Sequence, residues 1–281
     1  MTRHVQIIKA SGEAEEFSEE KLRNSLRKSE ATDEMENIVV SEVLKQLRPN
    51  MTTAEIHRIA FRLLRKLKSS SAARFNIKKA IMELGPTGFP FESLVGEIFK
   101  EFGYSVEVGK TVRGLCVEHE IDVVADKENR LVMVECKFHN TPGKLCNVQV
   151  PLYIRSRFND IENFLNTIEE NKNKYFEGWV VTNTRFSGDA LKYGNCAGLK
   201  LMGWDYPAKG SLRVIIEKFR LLPVTVLTDL NRKQKTQLIE SGILLCTQLI
   251  QRPGLLGQIG LDNRKQKRVI RELEEVVSLT V

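Results

Sequence analysis

Asp122 and, further along the chain, the triplet Glu135-Cys136-Lys137 carry the residue types most suited to chemistry. Both lie in apolar segments that predict β-strands, where side chains alternate between the two faces of a sheet. Glu135 and Lys137 therefore share one face, and Cys136 points to the other. The pattern predicts a carboxylate and an ammonium group side by side on one face of a sheet.

The polar segment 126–130 between these strands predicts a tight turn. A hairpin centred between Glu128 and Asn129 closes it. This hairpin pairs Asp122 with Glu135, and directly opposed residues have Cβ atoms about 5 Å apart. Two like charges at that distance are destabilising unless a cation offsets them. Oxygen ligands suit Mg²⁺ or Mn²⁺, so the hairpin predicts a divalent-metal site.

Such a site has the components for phosphodiester cleavage. A metal ion polarises the phosphate and lowers the pKa of a bound water. Lys137 positions or deprotonates the attacking water, or offsets charge in the transition state. The alternative is a surface hairpin in which Glu135 and Lys137 form a salt bridge. Glu-x-Lys alone is frequent by chance, and its pairing in register with Asp122 favours the catalytic interpretation.

A zinc site is a competing interpretation of the same segment. Cys116 and His119, together with Cys136 and His139, have the residue types of a Cys₂His₂ site. On a continuous strand, however, Cys136 and His139 face opposite ways, which disfavours zinc. Cys136 is then a small buried apolar residue, and His139 either touches phosphate or is solvated.

Helical and strand patterns alternate around these residues, which predicts an α/β core within an α+β chain. The predicted core elements are a helix at 91–103, strands at 104–108, 121–125 and 131–138, a helix at 150–171, a strand at 179–183, a helix at 188–198 and a strand at 199–204. Outside the core we expect a strand at 5–9, helices that begin after Ser18 and after Thr52 or Thr53, a helix at 72–84, and C-terminal helices at 233–241 and 264–277.

Composition divides the chain into three parts, at 1–85, 86–210 and 211–281. The Gly-Pro-rich segment 85–90 marks the first boundary. The first part carries 16 Lys and Arg against 12 Asp and Glu, the second 15 against 17, and the third 12 against 7. An acidic middle between basic flanks is typical of a protein that holds metal in its core and binds phosphate around it.

The middle part resembles the Mrr-like restriction endonucleases of the PD-(D/E)xK nuclease superfamily. The resemblance rests on GFPFESLVGEIFKEFGYSV, EHEIDVVA, LVMVECKFH and WVVTNTRFSGDAL, and it covers roughly residues 86–207. It implies a mixed central sheet flanked by helices and Mg²⁺-dependent DNA cleavage. Asp122, Glu135 and Lys137 match the family motif, and Glu92 matches its helix-borne acid, with Glu97 as a rival. The implied metal ligands are Asp122, Glu135 and the Cys136 backbone carbonyl. The chain departs from the family at Glu120, where a glycine is usual.

Residues 5–82 resemble an ATP-cone, a small, mainly helical nucleotide-sensing domain. The matching residues are Ile8-Lys9-x-x-Gly12, Glu15-x-Phe17-x-x-x-Lys21-Leu22, Thr53-x-Glu55-Ile56-His57 and Ala72-Ala73-Arg74-Phe75. The resemblance implies ATP or dATP as an allosteric ligand. It places Lys9 and Lys21 at the phosphates, and Glu15, Thr53 and His57 near the base and sugar. Ala10 stands where the family usually has arginine. No Walker A sequence is present, so we expect nucleotide binding without hydrolysis.

The C-terminal part, 211–281, predicts a basic helical region. Segments 227–230, 237–243 and 255–261 resemble helix-hairpin-helix elements, whose glycines present backbone N–H groups to phosphate. A helical dimerisation unit is the alternative.

The bulk properties indicate a cytoplasmic protein. No apolar run is long enough to span a bilayer, and the N-terminus lacks the pattern of a signal peptide. The five cysteines are widely spaced and form no CxxC pair, which favours a reducing compartment.

The expected function is a metal-dependent DNA endonuclease of the restriction or defence type, regulated by ATP or dATP. Its partners would be double-stranded DNA, an adenine nucleotide and further copies of the same chain, with no membrane. The alternatives are a nucleotide-sensing DNA-binding regulator that does not cleave, and a Holliday-junction resolvase.

Overall fold

Residues 5–171 and 173–278 are described in a computed structural model. Contacts group them into two compact units. One unit combines the chain up to Ile81 with the chain from Leu222 onward, and the other is Met82–Leu221. The boundaries proposed from sequence, 1–85, 86–210 and 211–281, remain a prediction. No helix of the described residues is long and apolar enough to cross a membrane.

The N-terminal segment is a small sheet covered by helices. Its three strands run in the order β2-β1-β3, with β1 antiparallel to β2 and parallel to β3. The elements are β1 (Gln6–Ile8), β2 (Ala14–Glu16), α1 (Glu19–Lys28), α2 (Asp33–Gln46), β3 (Met51–Thr52), α3 (Thr53–Leu67), α4 (Ser69–Phe75) and α5 (Ile77–Met82).

Two of the predicted helix starts are confirmed. The Ser18 side chain caps α1 by accepting the Lys21 N–H, and Thr52 caps α3 in a capping box with Glu55. The single helix expected at 72–84 is instead two helices. The break falls at Asn76, whose backbone N–H closes the end of α4.

The second unit is built on a mixed sheet. Its elements are α6 (Phe89–Glu101), β4 (Ser105–Arg113), β5 (Glu118–Lys127), β6 (Arg130–Lys137), β7 (Leu145–Cys146), α7 (Gln149–Leu165), β8 (Tyr175–Thr182), β9 (Arg185–Phe186), α8 (Gly188–Cys196), β10 (Lys200–Met202) and α9 (Leu212–Phe219). Within the described part of this unit, the main sheet has five strands in the order β10-β8-β6-β5-β4. Strands β4, β5 and β6 are antiparallel neighbours, while β6, β8 and β10 are parallel. The expected mixed sheet flanked by helices is confirmed.

Helix α7 lies close to the sheet. Ile154 and Phe158 of α7 pack with Met133 and Val180 of the strands in one buried cluster. A Cβ atom at Gly178 of β8 would come within 2.5 Å of Phe158, so glycine is needed for this close approach. The helix is shorter than the 150–171 expected from sequence. It ends at Leu165, and a 3₁₀ turn follows at Glu169–Asn171.

The C-terminal segment is helical, as its sequence predicts. Its helices are α10 (Arg232–Glu240), α11 (Cys246–Gln251), α12 (Leu255–Gln258) and α13 (Asn263–Val277). It packs against the N-terminal segment. The buried Thr225 hydroxyl donates to the Ala80 carbonyl at 2.8 Å, and Asp229 forms ion pairs with Arg65 of α3 and Arg268 of α13. These contacts explain why segments distant in sequence form one unit.

Candidate active site

Asp122 and Glu135 lie at neighbouring positions of β5 and β6. The hairpin pairs Val123 with Val134, which is the register expected from sequence, so Asp122 and Glu135 follow directly beyond the last pair. The backbone N–H of Cys136 donates to Asp122 Oδ2 at 2.6 Å. This hydrogen bond ties the Asp122 carboxylate to the strand that carries Glu135.

The sheet is irregular at Asp122. The β4–β5 ladder is regular on both sides of this residue but skips its pair with Gly109. Gly109 has a φ of +66°, a left-handed conformation that glycine adopts at little cost and residues with a Cβ adopt at a higher one. The aspartate therefore sits where strand pairing is locally interrupted.

Both carboxyl groups are harder to ionise than in water. Burial raises the pKa of Asp122, against the lowering effect of the Cys136 backbone hydrogen bond. Burial, followed by repulsion from Asp122, raises the pKa of Glu135 to about 7. The pair concentrates negative charge in a partly dry site, which a bound cation would offset.

Glu92 lies close enough to Asp122 for the charges of the two acids to interact. It occupies the first turn of α6. Burial, followed by the charges of Asp122 and Glu120, raises the pKa of Glu92 to about 7. Glu97, its rival from sequence, instead forms an ion pair with Lys100 at 2.7 Å. The structure therefore associates Glu92, rather than Glu97, with Asp122.

Lys137 is exposed at the end of β6, two residues beyond Glu135. Against the dominant effect of burial, its charge contributes to lowering the pKa values of Asp122 and Glu135. The ammonium group is thus close enough to stabilise the two carboxylates, and it is exposed to solvent.

Arg157 of α7 contacts the site, although the sequence analysis did not single it out. Its Nη1 donates to Glu135 Oε2 at 2.8 Å, and its Nη2 donates to the backbone carbonyl of Glu120. No local pattern signals this contact, because the arginine lies 22 residues after Glu135 on another element. Only the packing of α7 on the sheet brings the two side chains together.

A second residue of α7, Asp160, contacts His119, one of the histidines of the competing zinc interpretation. Asp160 accepts the backbone N–H groups of Cys116 and Val117, and its Oδ2 lies 2.8 Å from His119 Nε2. His119 is therefore paired with Asp160, while Cys136 is buried. Throughout 5–171 and 173–278, no group of three or more His, Cys, Asp and Glu side chains is placed to hold a metal ion. The structure gives no support to the zinc site.

The donor set on β5 and β6 fits a hard divalent cation. Asp122 and Glu135 offer carboxylate oxygens, and Mg²⁺ in proteins typically binds one or two carboxylates and fills its remaining positions with water and substrate phosphate. Repulsion from Asp122 contributes to the raised pKa of Glu135, and a cation beside the two acids would offset it. Two carboxylates are enough protein ligands for such a cation.

In the N-terminal segment, three of the residues expected to bind a nucleotide are in contact, because Lys9 and Lys21 both pair with Glu15. Lys9 Nζ and Lys21 Nζ lie 3.1 Å and 3.0 Å from the same oxygen, Glu15 Oε2. The hydrogen bond with Lys21, followed by that with Lys9, lowers the pKa of Glu15. The β1–β3 register, which pairs Ile8 with Thr52, places Lys9 beside Thr53 at the start of α3. Two lysines therefore lie next to a helix N-terminus, an arrangement that suits phosphate, although Glu15 and Glu13 partner them in this structure.

His57 lies further along α3 and is covered by an aromatic ring. Its ring stacks on Phe75 with centroids 4.6 Å apart, and its Nε2 is 3.3 Å from the Phe75 carbonyl oxygen. Burial lowers the pKa of His57, so the ring is largely neutral at neutral pH. The neutral, stacked ring is suited to an apolar contact rather than to a charge–charge contact with phosphate.

Three known protein families match successive parts of the chain. Residues 5–78 match the ATP cone domain, residues 86–205 match a restriction endonuclease domain named Mrr_cat, and residues 222–277 match the C-terminal domain of AF1548-like proteins. The suspected fusion of an ATP-cone to an Mrr-like endonuclease domain is therefore confirmed.

Individual relatives extend this result. An uncharacterized protein of Archaeoglobus fulgidus is 34% identical over 184 residues, which cover 65% of this chain and 99% of that protein. The crystal structure of AF1548, a protein of unknown function, is 34% identical and has a TM-score of 0.55, covering 68% of this chain and 98% of that one. The restriction endonuclease MspJI, solved with a 27-mer oligonucleotide, is 13% identical with a TM-score of 0.28 over 63% of this chain and 38% of that one. That last likeness is too weak to carry an argument.

The identity to the Archaeoglobus protein over nearly its whole length shows a common family. Together with the three domain matches, it identifies the chain as a member of the AF1548-like proteins, with an ATP-cone domain followed by an Mrr-like restriction endonuclease domain.

Proposed function

We propose that this protein is a divalent-metal-dependent DNA endonuclease whose activity responds to ATP or dATP. The observation that carries the proposal is the half-buried carboxyl pair of Asp122 and Glu135, held side by side on adjacent strands with Lys137 exposed beside it. The restriction endonuclease and ATP-cone domains support a nuclease with nucleotide-sensing regulation.

Each residue has a distinct part in the proposed reaction. Asp122, Glu135 and the Cys136 carbonyl would hold Mg²⁺ or Mn²⁺, which polarises the scissile phosphate and acidifies a bound water. Lys137 would orient the attacking water and offset charge that develops on the phosphate. Glu92, with its pKa raised to about 7 mainly by burial, can exchange a proton near neutral pH.

Double-stranded DNA is the proposed substrate. The parts of the chain on either side of the nuclease domain carry net charges of +4 and +5, while the nuclease part itself carries −2. Basic flanks would supply affinity through phosphate contacts, and the acidic centre would supply cleavage. DNA binding by this protein should accordingly weaken as the salt concentration rises.

The ATP-cone is proposed to bind ATP or dATP as a signal. Lys9 and Lys21 would contact the phosphates, while Glu15, Thr53 and His57 would lie near the sugar and base. Calorimetry with ATP, dATP and GTP tests this assignment, and heats of binding with the adenine nucleotides are expected. Light scattering with and without ATP tests whether the nucleotide changes the number of subunits in a homo-oligomer, as we propose.

Plasmid nicking tests the catalytic proposal. Supercoiled DNA is incubated with the wild type, Asp122→Asn or Lys137→Ala in Mg²⁺ or Mn²⁺. We expect both variants to lose roughly a hundredfold or more in rate, because each removes a group acting on the reacting phosphate.

Asp126→Asn is the matched control for this assay. Asp126 lies on the same strand as Asp122 but pairs with Lys174 at 2.7 Å, so its replacement should leave the rate unchanged. Equal rates in all the variants would reject the site. Salt-sensitive DNA binding with no metal-dependent product would indicate a DNA-binding regulator, and cleavage confined to four-way junctions would indicate a resolvase.

A further inference from the structure

Arg157 is held at the carboxyl pair by several contacts. Its guanidinium donates to Glu135 Oε2 at 2.8 Å and to the Glu120 carbonyl. The Tyr153 ring lies 5.6 Å from its central carbon, and the side chain is 14% exposed. A side chain fixed by a carboxylate, a carbonyl and a ring is ordered rather than free in solvent.

In the metal-free protein, the positive charge of Arg157 offsets the repulsion between two neighbouring carboxylates. Placing two carboxylates side by side in a partly buried site is unfavourable unless a positive charge lies nearby. Arg157 supplies that charge to Glu135 through a hydrogen-bonded ion pair and also lowers the energy of the Asp122 carboxylate. A planar guanidinium can bond a carboxylate and a second acceptor at the same time, which a lysine ammonium does less well.

The same ion pair places Arg157 in competition with a metal ion. The Glu135 Oε2 atom that accepts from Arg157 belongs to a proposed metal ligand. An oxygen bonded to a guanidinium is less available to a second cation, and a fixed positive charge repels that cation. The contact with the Glu120 carbonyl gives Arg157 a second anchor on β5, next to the strand position of Asp122.

We infer that Arg157 is a positioning residue that acts as an internal counter-cation: it bonds Glu135 in the metal-free protein and yields that carboxylate when a divalent ion binds. The inference rests on the proposed metal site and goes beyond it. It means that the site has a lower affinity for free metal than its two carboxylates would otherwise give. Metal binding then depends more strongly on the additional oxygens of a DNA phosphate.

Calorimetric titration of Mn²⁺ into the full-length protein without DNA tests the inference. Arg157→Gln retains an amide donor for the Glu120 carbonyl but removes the charge. We expect it to bind Mn²⁺ more tightly than the wild type, on the order of tenfold, because a nearby positive charge is lost. Arg155→Gln is the matched control, since Arg155 lies on the same helix and faces Glu162 at 3.7 Å; its affinity should equal that of the wild type.

Arg157→Lys is the second variant and protects the test against misfolding of the first. It keeps the charge, so it should bind Mn²⁺ within about twofold of the wild type. Thermal denaturation establishes that each variant is folded. Equal or weaker Mn²⁺ binding by folded Arg157→Gln, or markedly tighter binding by Arg157→Lys, would overturn the inference.

Two further results separate this inference from the proposed function. Failure of both the wild type and folded Arg157→Gln to bind Mn²⁺, or Asp122→Asn that binds as well as the wild type, contradicts the metal site itself. Wild-type binding that Asp122→Asn abolishes, without any gain from Arg157→Gln, contradicts only the role of Arg157.

Discussion

The sheet of the restriction endonuclease domain and the ATP-cone each hold a small cluster of charges, one centred on two acids and the other on two lysines. In the sheet, Asp122 and Glu135 are partly buried, and burial raises the pKa of both carboxyl groups. In the ATP-cone, Lys9 and Lys21 converge on Glu15, and their hydrogen bonds lower the pKa of that acid. Arg157 partners an acid of the first cluster, while Glu15 and, for Lys9, also Glu13 at 3.7 Å partner the lysines of the second.

This difference shows how one chain can be prepared for two ligands of opposite sign. The carboxyl pair gains most from a cation, because each acid raises the energy of the other. The lysine pair gains most from an anion, because the two ammonium groups share Glu15, and Glu13 lies 3.7 Å from Lys9 alone. The following predictions test whether the clusters are specialised in this way.

The largest effect is expected from the acid on α6. Glu92→Gln should slow metal-dependent nicking by about tenfold to a hundredfold, because a group with a pKa of about 7 close to Asp122 is lost. The measurement is the single-turnover rate at saturating Mg²⁺. Glu97→Gln is the control, since Glu97 pairs with Lys100 at the surface. Similar rates for both variants would remove Glu92 from the reaction.

An intermediate effect is expected in the ATP-cone. Lys9→Ala and Lys21→Ala should each weaken ATP binding by about tenfold, because each removes a charge-assisted hydrogen bond to phosphate. Calorimetry gives the affinities, and nicking without nucleotide should be unaffected. Lys28→Ala, in the last turn of the same helix as Lys21, provides the comparison. If this variant weakened binding as much, the lysine cluster would have no special role.

A separate effect is expected on the pH dependence of stability. An acid whose pKa is higher in the folded than in the unfolded protein binds its proton more tightly when folded, so stability falls as the pH rises between the two values. For Glu135 the interval runs from about 4.5 to about 7. Glu135→Gln should remove a loss of up to about 3 kcal/mol over that interval. Denaturation in EDTA at several pH values measures it.

The exposed Glu101→Gln serves as the control for this experiment, and its pH profile should match that of the wild type. A profile for Glu135→Gln that is as steep as that of the wild type would mean that Glu135 does not carry the charge repulsion inferred from its surroundings.

Much of the β5–β6 hairpin was predictable because it is local. The turn at 126–130 and the alternation of side chains set the register, and the structure has the same register in pairing Val123 with Val134. The caps at Ser18 and Thr52 were predictable for the same reason. The break at Asn76 was not, because the apolar pattern continues through it and propensity alone does not locate such a break.

The contacts of α7 lie outside the reach of sequence reasoning. Arg157 reaches Glu135 and Asp160 reaches His119 across intervals of 22 and 41 residues, between a helix and strands. Likewise, the pairing of Asp229 with Arg65 joins positions 164 residues apart. Sequence spacing carries no information about such pairs, because their distance depends on how whole elements pack.

The sequence by itself determined the kinds of element, the hairpin register and the acids and lysine that share one face, because strand periodicity and turn chemistry act over a few residues. The tertiary structure alone decided which acid of α6 approaches Asp122, which arginine neutralises Glu135 and which terminal segments form one unit. Those outcomes depend on burial and long-range packing, which place charges in a drier environment and bring distant residues together.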